Sequence, residues 1–387
     1  MKTVDLVFFD AGGGHRSAAN ALCEIVRREE RPWEMRMMNL QDILDGVDVF
    51  RRITGVRLQD LYNLMLRRGW TLGSPALMKG MHGVIRLLHS TEVKLLSNYW
   101  RGRQPDMVVS VIPNFNRALW QAIERVMPGV PMVTILTDMA DYPPHFWIER
   151  QPQYFICGTE RAYRQAISLG HAPDRLFRTS GMILNPRFYE PVAVDLARDR
   201  EALGLDPNRP TALIMFGGEG SRAILRIAQL LDRSGLDLQI IAICGKNKKL
   251  EAALREMPRR IPIHVEGFTR EVPRFMRLCD FFIGKPGPGS ISEAIAMGLP
   301  VIIERNHWTL PQERFNAQWV EEQGVGISVR RFRLQIVDAV RQMLDPERRR
   351  GFLKAVRRQN NRAVFEIPGM LDEILQRIYG REAVASD

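Results

Sequence analysis

Cysteine is scarce in this chain, and its four residues, Cys23, Cys157, Cys244 and Cys279, are scattered with no C-x-x-C spacing. That excludes a disulfide framework and a thiolate zinc site, and most of the thiols read as small apolar core residues. The seven histidines form no H-E-x-x-H pair, and no D-x-D carboxylate pair occurs. No dedicated metal site and no bound cofactor are therefore expected. No run approaches the roughly 18 apolar residues that cross a bilayer. The first strand begins near Thr3, which predicts no signal or transit peptide and a cytoplasmic protein. Repeats and low-complexity tracts are absent too, which leaves an ordinary globular chain.

What is present is a regular alternation. At 387 residues with 45% hydrophobic content, the chain is long enough for two domains, each with a full core. Strand-like runs at Val4–Phe9, Glu34–Met38, Met107–Ile112, Met132–Leu136 and Tyr154–Cys157 alternate with helical stretches. The pattern predicts an α/β fold with a parallel sheet covered on both faces. Between Asn185 and Pro210, four prolines fall among charged residues and mark a boundary. Beyond it the alternation restarts with strands at Thr211–Phe216, Gln239–Cys244, near His264 and Phe281, and at Val301–Glu304. The expected division is 1–190, 191–365 and a last helix within 366–387 that packs back across the boundary.

Two glycine-rich turns carry the chemistry. Phe281-Phe282-Ile283 reads as a buried strand, followed by Gly284-Lys285-Pro286-Gly287-Pro288-Gly289 and a helix opening at Ser290. A helix start presents free N–H groups, and with Lys285 beside them an anion is well served. The first turn, Asp10-Ala11-Gly12-Gly13-Gly14-His15, also links a strand to a helix, without the G-x-G-x-x-G dinucleotide spacing. A third, Gly217-Gly218-Glu219-Gly220, looks like its counterpart in the second half. Two phosphate-suited turns on two halves predict an enzyme for a nucleotide-activated substrate. His15, at a helix start whose dipole disfavours an imidazolium, is a candidate general base, and so is Asp10. Each also has a plainer role, as a helix cap or a loop carboxylate. Glu293 completes an S-x-x-E capping box with Ser290, which by itself makes it a helix cap. Lys285 has the plain alternative of a solvated surface lysine.

Charge is unevenly spread. The region 51–103 holds ten basic residues against two acidic ones, a net +8 of the chain's +11. The cations, Arg67 and Arg68 among them, alternate with Leu, Met and Trp70 at helical spacing. That is either a solvated helix face over domain core or a surface that docks on anionic lipid.

The motifs together resemble one family. Gly12-Gly13-Gly14-His15-Arg16-Ser17-Ala18, Thr137-Asp138 with His145-Phe146-Trp147, Gly217-Gly218-Glu219-Gly220, Gly267-Phe268, Lys285 through Ala294 and Gln312-Glu313 occur in the order found in monogalactosyldiacylglycerol synthases. They also resemble processive diacylglycerol glucosyltransferases and, more distantly, the MurG-like enzymes of glycosyltransferase family 28. The resemblance runs from about Val4 to Gly326. It implies a GT-B fold, two Rossmann-like domains facing a cleft, and inverting, metal-independent transfer of a hexose from a UDP-sugar to a lipid, with diacylglycerol the first acceptor to test. It places Phe268 at the uracil, Glu293 at the ribose, Gly289 and Ser290 at the diphosphate, and Gln312 with Glu313 at the sugar. Gly13, Gly14, Gly217, Gly218, Glu219, Lys285, Gly287 and Pro288 join them on the donor side. It places Arg67, Arg68, Trp70, Asp138, His145 and Trp147 on the acceptor and membrane side, with Trp147 equally readable as core. The protein is then expected on the inner face of the cell membrane, with no nucleic-acid partner. A UDP-sugar 2-epimerase-like enzyme and a non-enzymatic basic binding protein are the competing readings. Leu184-Asn185-Pro186 and Asp141-Tyr142-Pro143-Pro144 depart from the family pattern on the acceptor side.

Overall fold

The computed structural model describes residues 1–10, 13–44, 89–306 and 309–385. Gly12 and the greater part of the basic segment, including Arg67, Arg68 and Trp70, lie outside the described residues. The chain forms two compact units. One runs to Pro186 and includes Asn361 onward; the other is Arg187–Asn360.

The first unit is built on six parallel strands: β1 (Lys2–Phe8), β2 (Trp33–Asn39), β3 (Met107–Ser110), β4 (Met132–Ile135), β5 (Tyr154–Cys157) and β6 (Leu176–Arg178). Their spatial order is β2-β1-β3-β4-β5-β6. Strands β3, β4 and β5 are almost wholly buried, because helices cover both faces and leave no wet side to reward alternation. On one face, the helices Gly14–Arg28 and Ala363–Ala385 close a core of Val4, Leu6, Leu22, Val109, Ile367 and Leu371. The second helix is tied to this unit through Glu366, which accepts from the Ser180 amide at 2.8 Å and its hydroxyl at 2.7 Å. On the other face, a helix over 89–101 buries Val93, Leu96 and Trp100 against Val7 and Val108. Trp100 needs a partner for its indole N–H there, and donates it to the buried Asp5 at 2.9 Å.

The second unit repeats the plan with β7 (Thr211–Met215), β8 (Gln239–Ile243), β9 (Ile263–Glu266), β10 (Phe281–Gly284), β11 (Val301–Glu304) and β12 (Gly326–Val329). The order is β12-β11-β10-β7-β8-β9, all parallel. This is the doubly wound arrangement, in which strand order reverses between β7 and β10. The helix Pro346–Arg358 packs its inner edge on this unit through the partly buried Phe352 and buried Val356.

The proline-rich entry to the second unit is held by one buried guanidinium. Arg200, 4% exposed, donates to the carbonyls of Leu278 (3.0 Å), Pro207 (2.9 Å) and Arg209 (3.2 Å), and to the Asp280 carboxylate at 3.0 Å. Asp280 also accepts from the Thr211 amide and pairs with Arg349. An Arg200→Met substitution keeps the packing volume but leaves those acceptors without their donor. It should cost about 3 kcal/mol of unfolding free energy. Urea titration of the two proteins checks it; a difference below about 1 kcal/mol would show that water replaces the guanidinium.

Candidate functional site

In the second unit, register decides what meets. Gly284 pairs with Met215, so β10 and β7 end level and their turns leave the sheet side by side. A Cβ at Gly284 would lie 2.6 Å from the Met215 carbonyl oxygen, which is why glycine ends this strand. The turn Gly217–Gly220 and the turn Lys285–Gly289, read separately from sequence, are thus neighbours at the reversal point. In doubly wound sheets that is where ligands bind, beyond the carboxyl ends of the strands.

The details fit a backbone cradle. Gly217 and Gly220 have φ of 76° and 68°, the left-handed region that glycine alone adopts freely. Gly220 presses on the Cys244 carbonyl, and Lys246 donates its amide to Gly218 at 2.8 Å, locking the turn after β7 to the one after β8. A Cβ at Gly217 would stand 3.7 Å from the Lys285 side chain, and one at Gly218 would stand 4.0 Å from the Phe268 ring. Phe268 is 56% exposed, unusual for so large a ring, with the Lys246 ammonium 5.7 Å from its centroid. Lys246 also pairs with Glu219 at 3.3 Å.

Lys285 sits at the centre of the cluster. Its ammonium bonds the Glu313 carboxylate at 3.2 Å, and both groups flank Gly287, each 3.6 Å from where a Cβ would be. The sequence reading of the helix start is corrected here. The helix is Pro288–Ala296 with Gly287 as its N-cap, and no side chain caps it. Ser290 lies inside the first turn, so Ser290 and Glu293 form no capping box. Proline at the first helical position, where its missing N–H costs nothing, moves the start two residues earlier. The amides of Gly289 and Ser290 then belong to the first turn, whose donors have no intrahelical acceptor. A Cβ at Gly289 would meet nothing within 4 Å, so this turn faces open space.

Glu293, freed of the cap role, is partly buried one turn further along the helix. Burial raises its pKa to about 7, against the pull of the Arg187 guanidinium. Gln312 and the buried Glu313 lie in the short 3-10 turn Pro311–Glu313. Sequence reading missed Asn316, which is fully buried and donates to the Pro286 carbonyl at 2.7 Å, fixing the proline turn. Lys246 was missed as well: a lone lysine after a strand carries no local signal.

The first unit has its own reversal point between β1 and β3, and His15 sits there. Its Nδ1 is 2.8 Å from the Val111 carbonyl oxygen and 3.1 Å from the Thr137 hydroxyl. A carbonyl only accepts, so Nδ1 carries the hydrogen and Nε2 keeps the lone pair. Burial lowers the His15 pKa to about 4, outweighing the carbonyl bond that raises it. Asp10 is ion-paired to Arg16 at 2.9 Å. Gly13 takes φ 80° as the N-cap of the His15 helix, and Gly14 begins that helix.

For Trp147 the structure selects the core reading of the two that the sequence allowed. It is fully buried rather than facing an acceptor, with its ring 6.0 Å from that of His15. Two carboxylates draw it in: the Asp138 carboxylate accepts from its indole N–H at 2.9 Å and Asp141 from its amide at 2.7 Å. Asp141 also takes the His145 amide at 2.8 Å. Burial raises the Asp141 pKa despite these bonds. The loop is therefore held from within, and His145, at φ 65°, and Tyr142 remain exposed on it. Among the described residues, no group of three or more His, Cys, Asp or Glu could hold a metal ion, and no helix is long and apolar enough to cross a membrane.

Comparison with known proteins follows the same lines. The profile of the glycosyltransferase family 28 C-terminal domain matches residues 212–366. The chain is 30% identical over 400 aligned positions to a probable chloroplastic monogalactosyldiacylglycerol synthase 2 of Oryza sativa subsp. japonica, covering 95% of this chain and 79% of that protein. It is 28% identical to the chloroplastic monogalactosyldiacylglycerol synthase of Spinacia oleracea, over 98% of this chain and 74% of that one. Among solved structures, Acinetobacter baumannii MurG superposes with a TM-score of 0.63 at 11% identity, over 96% of this chain and all of that one. A UDP-GlcNAc 2-epimerase from Neisseria meningitidis, bound to UDP-GlcNAc, reaches 0.60 at 14% identity, over 96% of this chain and 100% of that chain. The fold is thus that of the GT-B glycosyltransferases.

The cradle makes a paired prediction. Gly220→Ala forces a Cβ onto the Cys244 carbonyl at a positive φ and should cost about 2–3 kcal/mol of stability. Gly289→Ala, in open space, should change stability by less than about 0.5 kcal/mol. Thermal or urea unfolding of both variants checks the contrast, and equal losses would show that the two glycines are not in the environments described.

Proposed function

The chain belongs to the monogalactosyldiacylglycerol synthase family of glycosyltransferases, and from that premise we propose that it moves a hexose from a UDP-sugar to diacylglycerol. The observation that carries this reading is the meeting of Lys285 with both glycine turns at the reversal point of the second sheet. The amides of Gly289 and Ser290 and the Lys285 ammonium are suited to a diphosphate, and they supply positive charge from the chain itself, so we read the transfer as metal-independent. Phe268 is exposed where a uracil would lie, and the Glu293 carboxylate is suited to the ribose hydroxyls. Gln312 and Glu313 are assigned to the sugar. When the donor enters, its phosphates replace Glu313 as the partner of Lys285.

On the first unit we assign the base to His15. The acceptor hydroxyl gives its proton to Nε2 as its oxygen attacks the anomeric carbon from the side opposite UDP. The new carbon–oxygen bond forms as the bond to phosphate breaks, which inverts the configuration. Negative charge grows on the departing diphosphate, so fixed donors stabilise the transition state more than the ground state. Asp10 is the poorer choice, because its carboxylate is already engaged by the Arg16 guanidinium at 2.9 Å. We place the protein on a membrane surface as a peripheral enzyme, since its proposed acceptor resides in one.

Purified protein incubated with UDP-glucose, UDP-galactose or UDP-N-acetylglucosamine and diacylglycerol vesicles should yield a glycolipid identifiable by mass. Conversion of the donor without acceptor would favour the epimerase reading, which the shared fold leaves open. His15→Asn should lower turnover at least about a hundredfold. In the wild type, turnover should stay level as pH falls through 6.5, the ordinary histidine value, and drop only toward about 4. An acid limb centred on the ordinary value would remove His15 from the role.

Glu293 predicts a second, separate pH effect. Its useful form is the carboxylate, present above about 7 and lost as pH falls through that value. The KM for the donor should therefore rise on acidification below neutrality, while Glu293→Gln should show a raised KM at all pH values with that dependence gone. A variant that keeps the wild-type pH dependence of KM would assign it to another group.

A further inference from the structure

The basic region singled out in the sequence falls mostly outside the described residues, but a second concentration of charge stands on the second unit. Six of the 13 residues of the helix Pro346–Arg358 are Arg or Lys, against 55 of 387 in the chain. They divide by face. Arg349 turns inward to Asp280, and with Phe352 and Val356 it fixes the inner edge at spacings of three and four. Arg348 is bonded to Gln342. Arg350, Lys354, Arg357 and Arg358 recur at i, i+4, i+7 and i+8, the outward stripe, and all four are exposed. Among the described residues none of these four has a hydrogen-bond or ion-pair partner. Glu347, also exposed, is the acidic residue on that side, one turn before Arg350.

We propose that this outward stripe docks on the phosphate surface of an anionic lipid bilayer. The proposal rests on the reading of the protein as a glycosyltransferase acting on a membrane lipid. Arg357 and Arg358 alone could be explained as complements to the helix dipole at its last turn. Arg350 and Lys354, in the middle of the helix, could not. Unpaired point charges on a rigid helix suit a fluid array of phosphates, which supplies partners to each without fixed geometry. A nucleic acid would favour aromatic side chains among the cations for stacking; the helix's single aromatic, Phe352, packs on the core instead. Each cation near such a surface contributes roughly fivefold in partitioning, and the contribution falls with salt.

The test is sedimentation of the full chain with vesicles of phosphatidylcholine alone or with an equal share of phosphatidylglycerol. Replacing Arg350, Lys354, Arg357 and Arg358 by Gln should weaken binding to the anionic vesicles roughly six-hundredfold at low salt, and by less as salt is added. It should leave neutral vesicles unaffected, and turnover on diacylglycerol in detergent unchanged. A companion variant with the three arginines replaced by Lys keeps the charge and should bind as the wild type does, which separates charge from any loss of fold. Wild-type binding by the Gln variant overturns the proposal, as does loss of binding in the Lys variant. Preference of the wild type for RNA over anionic vesicles overturns it too. If anionic vesicles bind as stated but no glycolipid forms from any donor in detergent, the enzymatic reading fails while the docking surface stands.

Discussion

Everything proposed for the donor depends on the alignment of β7 with β10. These strands are far apart in sequence, yet they pair in parallel with Met215 opposite Gly284, so their turns emerge at one level. A slip of one residue would turn every buried side chain of β10 to the wrong face. Since β10 is apolar and buried on both faces, its pattern does not distinguish one register from another; a slip is costly because Phe281 and Ile283 would have to be repacked in the core and a side chain would replace Gly284 against the Met215 carbonyl. The position of Lys285 against Gly217 is thus inherited from core packing rather than set by the turn itself. Gly284 marks how close the approach is, since any side chain there would strike the neighbouring backbone.

Electrostatics then divides the work between the two units. In the second, positive charge is kept in place without a ligand: Lys285 is paired with Glu313 and Lys246 with Glu219. Each carboxylate satisfies its lysine, and on the proposed reading a diphosphate, with more charge and more acceptors, competes successfully for Lys285. In the first unit the logic is opposite. His15 is held neutral by burial, which outweighs the opposite effect of the Val111 carbonyl, and that carbonyl fixes its tautomer, so its lone pair is available across the ordinary pH range. The depressed pKa also makes it a weaker base. On the proposed reading, proton transfer to it therefore accompanies departure of the leaving group, when the attacking hydroxyl is most acidic.

The alternating strands were legible because most are short, mainly apolar runs between turn residues; β5 and β11 match their sequence bounds. The strands β6 and β12 were missed. Both are short edge strands, Leu176–Arg178 and Gly326–Val329, with too few apolar residues to stand out from the flanking loops. The glycine turns were legible as turns, but their adjacency was not, because it follows from long-range pairing. Ser290 misled because a capping box is a local pattern, and a proline two residues earlier outcompetes it with no change in that pattern. Trp147 stayed open between two readings for a related reason. Its burial comes from Asp138 and Asp141, whose side chains accept from the loop's own N–H groups, and nothing in the order of residues announces that.

The fold alone does not choose the reaction, and the structural neighbours make the point: a MurG and a UDP-GlcNAc 2-epimerase superpose on the chain about equally well. What separates transfer from epimerisation is whether an outside alcohol reaches the sugar while water does not. The residues that bear on this are on loops and surfaces, not in the sheets. The Asp138–Trp147 loop is held by its own carboxylates and packed against Gln165, whose amide bonds the Asp141 backbone at 2.9 Å in both directions. A loop so held carries His145 and Tyr142 on a backbone fixed by its own bonds. On the proposed reading, a lipid acceptor with flexible chains gains most from such a preorganised contact, since only one partner then loses conformational freedom on binding.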